Sequence, residues 1–186
     1  MFILKSRSPR RIEILKNLGF HFQIEPEDID ENQLASETHL EYLQRVVTSK
    51  LGDPSKFSKL DFILACDTIV VQEEVILHKP ANEFEAITTL ERLNGKSHSV
   101  FSGCIIFQDG TLDYFYDETK IFFRTWRLEQ IKEYVQRCQP FDKAGSYGIQ
   151  DEKGPVLKWE GSYQNVMGFP IRGFYRRNEK WKTFWQ

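Results

Sequence analysis

The chain has 186 residues, 40% of them hydrophobic and 14% aromatic, so it can bury a full-sized core and intrinsic disorder is excluded. Its formal net charge of −2 excludes the strongly basic surface that nucleic-acid-binding domains usually carry. No apolar run is long enough for a membrane span or a signal peptide, so the sequence predicts a cytoplasmic protein that binds neither nucleic acid nor membrane.

The first predicted helix begins at an unusual charge pattern. Ser8 is typical of an N-cap and Pro9 of a first helical residue, and the helical period that follows ends at Gly19. Arg10 and Arg11 then lie in the first turn, where cations oppose the helix dipole at roughly 0.3–1 kcal/mol per residue. A bound phosphate would remove that cost, and two solvated arginines on a surface helix are an equally compatible interpretation.

An acidic segment and a second helix follow. The carboxylates crowded between Glu25 and Glu31 are typical of a solvated loop. Thr38 and Glu41 fit a capping box, which predicts a helix that ends at Gly52 with Lys50 in its last turn.

The next segment, residues 62–71, is apolar almost throughout and predicts a strand buried on both faces at the centre of the sheet. Asp67 stands in its middle, where an uncompensated charge would cost several kcal/mol. Asp67 and Thr68 are therefore candidates to line a ligand site, with a metal ion or a lysine as the partner of the carboxylate. The plainer alternative is a structural aspartate that accepts hydrogen bonds from nearby backbone amides.

Regular elements continue to the end of the chain. Asn82 and Glu85 predict the cap of a helix whose apolar face includes Phe84, Ile87, Leu90 and Leu93, and Asp109-Gly110 predicts a tight hairpin between two strands. A fourth helix follows from residue 128, and a glycine-flanked loop spans residues 145–148. In the last twelve residues, the aromatic side chains are predicted to pack on the body of the protein, namely Trp181, Phe184 and Trp185.

Cysteine usage points to a reducing environment. Cys66, Cys104 and Cys138 are odd in number and their spacing matches neither a zinc site nor a disulfide framework. The sequence therefore predicts three reduced, mostly buried thiols.

A further candidate for phosphate binding is a lysine whose backbone is restricted by the residue after it. Lys79 precedes Pro80, which restricts its backbone and suits it to hold a phosphate. Hydrolysis of a phosphoanhydride needs cations around the phosphates and a carboxylate to bind metal or activate water. The chain contains such residues, but sequence order alone does not show that they converge.

Six segments together resemble, in order and spacing, the motifs of the Maf family of nucleoside triphosphate pyrophosphatases. The resemblance covers residues 2–174. The segments are Ser6-Arg7-Ser8-Pro9-Arg10-Arg11, Asp30-Glu31, Cys66-Asp67-Thr68, Lys79-Pro80, Ala144-Gly145-Ser146-Tyr147-Gly148-Ile149-Gln150 and Gly168-Phe169-Pro170.

The resemblance implies an α/β fold like that of inosine triphosphate pyrophosphatases (Maf/Ham), with a long mixed sheet, flanking helices and a cleft between two lobes. Residues 1–186 would form a single domain without a separable linker, usually as a homodimer. The implied reaction cleaves a nucleoside triphosphate between its α and β phosphates, giving the monophosphate and pyrophosphate. It would use a divalent cation, Mg²⁺ or Mn²⁺.

The resemblance also assigns roles to residues. Asp67 would accept the proton of the attacking water, and Glu31 would hold metal or the same water, so that Glu31 and Asp67 are the implied metal ligands. The implied triphosphate-binding residues are Ser6, Arg10, Arg11, Lys50 and Lys79.

Substrate choice is implied by three positions that match the branch acting on dTTP and UTP, namely Arg11, Thr68 and Gln150. The side-chain amide of Gln150 also suits a pyrimidine, because it can donate to a carbonyl and accept from the ring N3–H.

Three residues depart from the family pattern without removing a proposed catalytic group: Lys5, Cys66 and His78. We interpret His78 as a solvent-facing replacement for glycine and Cys66 as a small packing residue. An alternative function is a nucleotide-responsive binding protein that inhibits septum formation, with hydrolysis incidental.

Overall fold

A computed structural model of the chain describes residues 1–184, so Trp185 and the prediction that it packs on the body lie outside the described residues. The fold is of the α/β class, as predicted, and the described residues contain seven strands in one mixed sheet. The strands are β1 (Phe2–Lys5), β2 (Gln23–Ile24), β3 (Phe62–Gln72), β4 (Val75–Leu77), β5 (Ser97–Gln108), β6 (Thr111–Phe123) and β7 (Val156–Glu160). The helices are α1 (Pro9–Asn17), α2 (His39–Leu51), α3 (Glu83–Leu93), α4 (Leu128–Cys138), α5 (Tyr163–Val166), α6 (Ile171–Tyr175) and α7 (Asn178–Trp181). Among residues 1–184, no helix combines the length and apolar character needed to cross a membrane.

Strand β3 is the centre of the sheet, as its apolar sequence predicts. The strand order is β2-β1-β3-β5-β6-β7, and β4 pairs with β3 as well. β1 runs parallel to β2 and β3, whereas β4 is antiparallel to β3 and β7 is antiparallel to β6. Nearly every side chain of β3 is buried, so both faces of the sheet are covered along this strand.

The chain divides into two compact units. Unit 1 comprises Met1–Thr68, Ser102–Asp117 and the residues from Gly168 onward, and unit 2 comprises Ile69–Phe101 and Glu118–Met167. Strands β3, β5 and β6 each contribute residues to both units, so the chain passes from one to the other within strands and not through a Pro/Gly-rich linker. A single domain over the whole chain stays a prediction.

Aromatic rings dominate the core of unit 1. The Phe2 ring lies 4.9 Å from that of Phe62, and the Phe174 ring stacks on Trp181 at a centroid distance of 5.0 Å. Trp181 is buried and Phe184 packs against the same core, which confirms the prediction for these two aromatic residues of the tail. Each fully buried ring of this kind stabilises the fold by roughly 1.5–3 kcal/mol.

The core of unit 2 contains the inward faces of α3 and α4. On α3 the buried side chains are Ala86, Leu90 and Leu93, whereas Phe84 is 78% exposed, so the prediction that Phe84 faces the core is wrong. The reason is helical geometry, because a residue two positions before Ala86 lies about 200° away around the helix.

The structure confirms a predicted helix cap and a predicted hairpin turn. The capping box between Thr38 and Glu41 is present in both directions. Asp109 and Gly110 have φ values of 48° and 74°, which are the left-handed conformations that a two-residue hairpin turn requires. By contrast, the alternation predicted over residues 20–24 yields only the two-residue strand β2.

The cysteines are the main correction to the sequence-based picture. Cys66 on β3 and Cys104 on β5 form a buried disulfide, with Cα atoms 4.2 Å apart, and Cys138 remains free. The prediction of three reduced thiols is therefore wrong for this pair. Their juxtaposition depends on the register of two neighbouring strands, and a separation of 38 residues in the chain carries no signal of it.

Candidate active site

One lysine joins the two predicted catalytic carboxylates. The Nζ atom of Lys50 lies 2.7 Å from Asp67 Oδ1 and 2.7 Å from Glu31 Oε1. Because both oxygens contact the same nitrogen, Asp67 Oδ1 and Glu31 Oε1 can be no further apart than twice 2.7 Å. Lys50 compensates the charge of the half-buried Asp67, which confirms a lysine as a partner of this carboxylate.

Three different elements supply this cluster, all within unit 1. Lys50 projects from the last turn of α2, where a cation is favourable at the negative end of the helix dipole. Asp67 belongs to β3, and its side chain is 16% exposed. Glu31 lies in the irregular segment of residues 25–37, which we call the acidic loop, and its side chain is 48% exposed.

Helix α2 also positions the acidic loop. The Tyr42 hydroxyl donates a 2.8 Å hydrogen bond to the carbonyl of Glu31, and Arg45 Nη2 donates one of 2.8 Å to the carbonyl of Asn32. Burial, followed by the charges of Asp67 and Glu31, raises the pKa of Tyr42 to about 12, so its phenol remains a donor at neutral pH. The prediction that this segment is merely solvated is therefore incomplete.

Further ion pairs hold the start of the acidic loop. Lys5 Nζ lies 3.4 Å from Glu27, and Arg7 Nη1 lies 2.6 Å from Asp28. Lys5, one of the departures from the family pattern, is itself buried and lies 5.2 Å from the centre of the Phe57 ring. It therefore contributes to packing beside the site.

Arg11 is the most constrained cation of the site. Its Nη1 donates to the Ser6 hydroxyl at 3.0 Å and its Nε to the Gly168 carbonyl at 2.7 Å. Its Nη2 donates to the Thr68 hydroxyl at 2.9 Å and lies 4.0 Å from Asp67 Oδ1. Burial lowers the pKa of Arg11 below its ordinary value, and the charge of Asp67 partly offsets that effect.

The start of α1 confirms the predicted placement of the arginines. Helix α1 begins at Pro9, so Arg10 and Arg11 lie in its first turn, and Ser8 occupies the N-cap position without a side-chain capping bond. The buried Ser6 hydroxyl accepts from the Ser8 amide as well as from Arg11. Protein acceptors compensate Arg11, and Arg10 is half-buried at the helix start.

Two contributors were not singled out from the sequence. The Ser102 hydroxyl on β5 lies 2.8 Å from the Thr68 hydroxyl, and the Gly168 carbonyl accepts from Arg11. Gly168 has a φ of 107°, and a Cβ there would lie 3.3 Å from Thr68 Oγ1. Two features of the sequence pointed to these residues: Ser102 is a hydroxyl inside an apolar strand, and Gly168 belongs to one of the six motif segments.

The oxygens of Asp67 differ in their surroundings. Within residues 1–184, its hydrogen bond and ion pairs all fall on Oδ1, which leaves Oδ2 without a protein donor. The same part of the chain contains no group of three or more His, Cys, Asp or Glu side chains arranged to hold a metal ion. Two carboxylates nevertheless fit a hard cation that completes its coordination with phosphate oxygens and water.

Lys79 and Gln150 belong to unit 2, and their part in the site stays a prediction. Lys79 is exposed directly after β4, and Gln150 is exposed just after the short 3₁₀ turn Ala144–Ser146. A 3.4 Å hydrogen bond from the Gly145 amide to the His78 carbonyl holds the two segments together. The side chain of His78 is exposed, which confirms its interpretation as a solvent-facing residue.

The residues before Gln150 are fixed from the inside of unit 2. The Tyr147 hydroxyl lies 2.7 Å from His98 Nε2, and both side chains are buried. The Gly148 amide donates to Asp151 Oδ2 at 2.9 Å and to the Tyr134 hydroxyl at 3.2 Å. Burial lowers the pKa of His98 to about 3, so its imidazole is neutral.

The chain is similar to known proteins over nearly its whole length. Residues 1–180 match the family described as Maf-like protein. A dTTP/UTP pyrophosphatase of Leptospira biflexa serovar Patoc is 54% identical over 186 residues, covering 100% of this chain and 96% of that protein. One of Leptospira borgpetersenii serovar Hardjo-bovis is 52% identical over 184 residues, covering 99% and 98%. One of Geobacter sp. strain M21 is 37% identical over 172 residues, covering 91% and 89%.

These matches agree with the motifs read from the sequence and with the fold. Asp67 and Glu31 lie in segments that carry those motifs, and Lys50 joins them from α2. The chain therefore belongs to the Maf family.

Proposed function

We propose that this chain hydrolyses dTTP and UTP to the corresponding nucleoside monophosphate and pyrophosphate. Relatives that are 52% and 54% identical carry the name dTTP/UTP pyrophosphatase. The observation that carries the proposal is the Lys50 ammonium between Asp67 and Glu31, 2.7 Å from each, beside the guanidinium of Arg11.

A polyphosphate would change the partners of this cluster. The Lys50 ammonium has three donors, two of which the carboxylates occupy. Phosphate oxygens compete for the same donors, and Arg10, Arg11, Ser6 and Lys79 would bind further oxygens. Because Glu31 lies on a loop and is half-exposed, its contact with Lys50 is the easier one to exchange.

In the proposed step, a water oxygen attacks the α-phosphorus and transfers one proton to Asp67. The bond from the α-phosphorus to the oxygen that bridges it to the β-phosphorus breaks, and pyrophosphate leaves with the bonding electron pair. Oδ2 of Asp67 suits the role of proton acceptor because Lys50 and Arg11 hold only Oδ1. A positioned general base contributes about 10²–10⁴-fold to a rate.

Asp67 and Glu31 would hold a divalent cation, Mg²⁺ or Mn²⁺, together with phosphate oxygens. When bound, such a cation neutralises charge on the phosphates and on the leaving pyrophosphate. The Gln150 amide would read the pyrimidine, and Thr68 would act with Arg11, to which it is hydrogen-bonded. We also propose a cytoplasmic homodimer, and sedimentation velocity tests the dimer.

The central experiment incubates the protein with a panel of nucleoside triphosphates and Mg²⁺ or Mn²⁺, and measures pyrophosphate and orthophosphate separately. We expect dTTP and UTP to give the monophosphate and pyrophosphate faster than the purine nucleotides. Orthophosphate as the first product from every substrate would overturn the proposal.

The role of Asp67 is tested with Asp67→Asn, which keeps the shape of the side chain but removes the proton acceptor. We expect kcat to fall by at least about 100-fold while nucleotide binding persists. The matched control is Glu13→Gln on the exposed face of α1, which removes the same charge within unit 1. Equal activity of the two variants would refute the assigned base.

A further inference from the structure

Unit 2 contains a cavity that the proposed reaction does not use. Its volume is about 370 Å³, within the size range of small-molecule sites. The side chains that matter for its chemistry are Arg124, Trp126, Glu133, Tyr134, Arg137 and Lys153. None of them belongs to the proposed catalytic or triphosphate-binding set.

The charge of the cavity is opposite in sign to that of the whole chain. Three cations and one carboxylate give its lining a net charge of about +2, whereas the chain as a whole carries −2. A local excess of cations at a concave surface favours an anionic ligand.

The two arginines are oriented by backbone carbonyls. Arg137 Nη2 donates to the carbonyls of Glu152 at 3.0 Å and Lys153 at 3.3 Å, and Arg124 Nε donates to that of Val156 at 3.3 Å. Within residues 1–184, no carboxylate forms an ion pair with either guanidinium or with Lys153. These bonds do not use Nη1 of Arg137 or either Nη atom of Arg124, and charged N–H groups of this kind bind phosphate oxygens strongly.

Aromatic rings form another part of the wall. Trp126 is half-buried, and its ring centre lies 5.6 Å from that of Tyr134. A planar, phosphorylated ligand would therefore find both a ring surface and anion-binding groups. We infer that the cavity is a second ligand site that binds a nucleoside monophosphate or a metabolite of that chemical class.

The wall of this cavity is connected to the loop that ends at Gln150. The Tyr134 hydroxyl donates to Asp151 and accepts from the Gly148 amide. We therefore expect ligand binding in the cavity to change the environment of the Gly148 amide, which makes this backbone group a second reporter of binding.

The test uses the full chain labelled with 5-fluorotryptophan, with the Trp126 resonance assigned by its loss in Trp126→Phe. UMP, uridine and inorganic phosphate are titrated separately while the ¹⁹F spectrum is recorded. We expect UMP to shift the Trp126 resonance saturably, with a midpoint at least tenfold lower than that of uridine or phosphate.

Variants separate this cavity from the hydrolytic site, where UMP is expected to bind as a product. Arg137→Met and Lys153→Met should each raise the UMP midpoint at Trp126 at least tenfold while dTTP hydrolysis is retained. Lys132→Met, on the exposed face of the same helix as Arg137, should leave the midpoint unchanged. No shift with UMP, equal effects of all three variants, or equal binding of uridine or phosphate would each overturn the inference.

Discussion

Two loops that carry proposed site residues, Glu31 in one and Gln150 in the other, are held in place in different ways. The acidic loop of unit 1 depends on an exposed ion pair between Arg7 and Asp28, on a partly exposed one between Lys50 and Glu31, and on two hydrogen bonds donated by α2. The glycine loop of unit 2, residues 145–150, depends on buried groups, chiefly Tyr147, His98 and the Gly148 amide. Exposed ion pairs contribute about 0–1 kcal/mol each, whereas a broken buried hydrogen bond costs about 1–3 kcal/mol.

This difference predicts that mutations in the two loops have different consequences for activity and stability. Lys50 would have to exchange a carboxylate for phosphate oxygens, and its contact with the half-exposed Glu31 is weak, since a strong contact would oppose that exchange. A loop proposed to recognise one base needs a fixed shape, so it is packed from within. We therefore expect changes at the acidic loop to reduce activity more than stability, and changes beneath the glycine loop to do the opposite.

The largest expected effect is that of Lys50→Met. Removing the ammonium leaves Asp67 and Glu31 without the cation that now lies between them and removes a proposed phosphate ligand. We expect kcat/KM for dTTP to fall at least about 100-fold, equivalent to about 2.7 kcal/mol. Lys16→Met, an exposed change in the last turn of α1, is the control, and a similar loss there would contradict the assignment.

The contribution of the disulfide beside Asp67 to the stability of unit 1 is tested by removing the bond. Asp67 lies beside Cys66, whose bond to Cys104 closes a loop with a separation of 38 residues. Loop-closure entropy predicts that its loss lowers the free energy of unfolding by roughly 2–4 kcal/mol. Urea unfolding of Cys104→Ala measures this, with Cys138→Ala as the control because Cys138 is free. Equal stability of the two variants would show that the bond does not constrain unit 1.

Acid sensitivity should arise beneath the glycine loop. Burial lowers the pKa of His98 from 6.5 to about 3, so the unfolded chain binds the proton more readily between these values. Its contribution is full above pH 6.5 and is lost as the pH falls, by about 1.4 kcal/mol per unit. Between pH 6.5 and about 4.5 we expect a loss of roughly 2–3 kcal/mol in urea unfolding.

Glu37 and Glu41 are expected to lose their contributions to stability at a lower pH than His98. Hydrogen bonds with Arg45 and Thr38 hold the pKa values of these two side chains below the ordinary value of 4.5, whereas His98 starts from 6.5. His98→Gln should flatten the pH dependence because an amide does not titrate. His21→Gln, at an exposed position, should preserve it. An unchanged slope in His98→Gln would place the acid-sensitive group elsewhere.

The sequence predicts those features that depend on neighbouring residues. The capping box at Thr38, the helix start at Pro9 and the turn at Asp109-Gly110 are confirmed because each is a local hydrogen bond or backbone preference. The exposed Phe84 shows the limit, since periodicity alone did not identify which face of α3 is buried.

Features that depend on strand register were not predictable in the same way. The motif segments contain Asp67 and Glu31 and the family resemblance also implied Lys50, but only the fold brings Lys50 between the two carboxylates. The Cys66–Cys104 bond and the contact of Ser102 with Thr68 both require β3 and β5 to be neighbours in a particular register. Local sequence contains no information on that alignment, whereas the family resemblance carries the residue roles without their geometry.

The smallest expected effect concerns the support of the acidic loop by Tyr42. Tyr42→Phe keeps the buried ring but removes the hydroxyl that donates to the Glu31 carbonyl, a bond worth about 0.5–1.5 kcal/mol. We expect kcat to fall by about three- to tenfold with little change in KM, because the loop then holds Glu31 less firmly. Tyr175→Phe, at a half-exposed position in the same unit, should have no such effect.

A double-mutant cycle with Glu31→Gln distinguishes positioning from general destabilisation. If Tyr42 acts through Glu31, adding Tyr42→Phe to Glu31→Gln should reduce kcat no further, since the group being positioned has already lost its charge. Fully additive losses in kcat would mean that Tyr42 supports the fold of α2 and not the carboxylate. That result would also weaken the contrast between the two loops, because the acidic loop would then owe its geometry to other contacts.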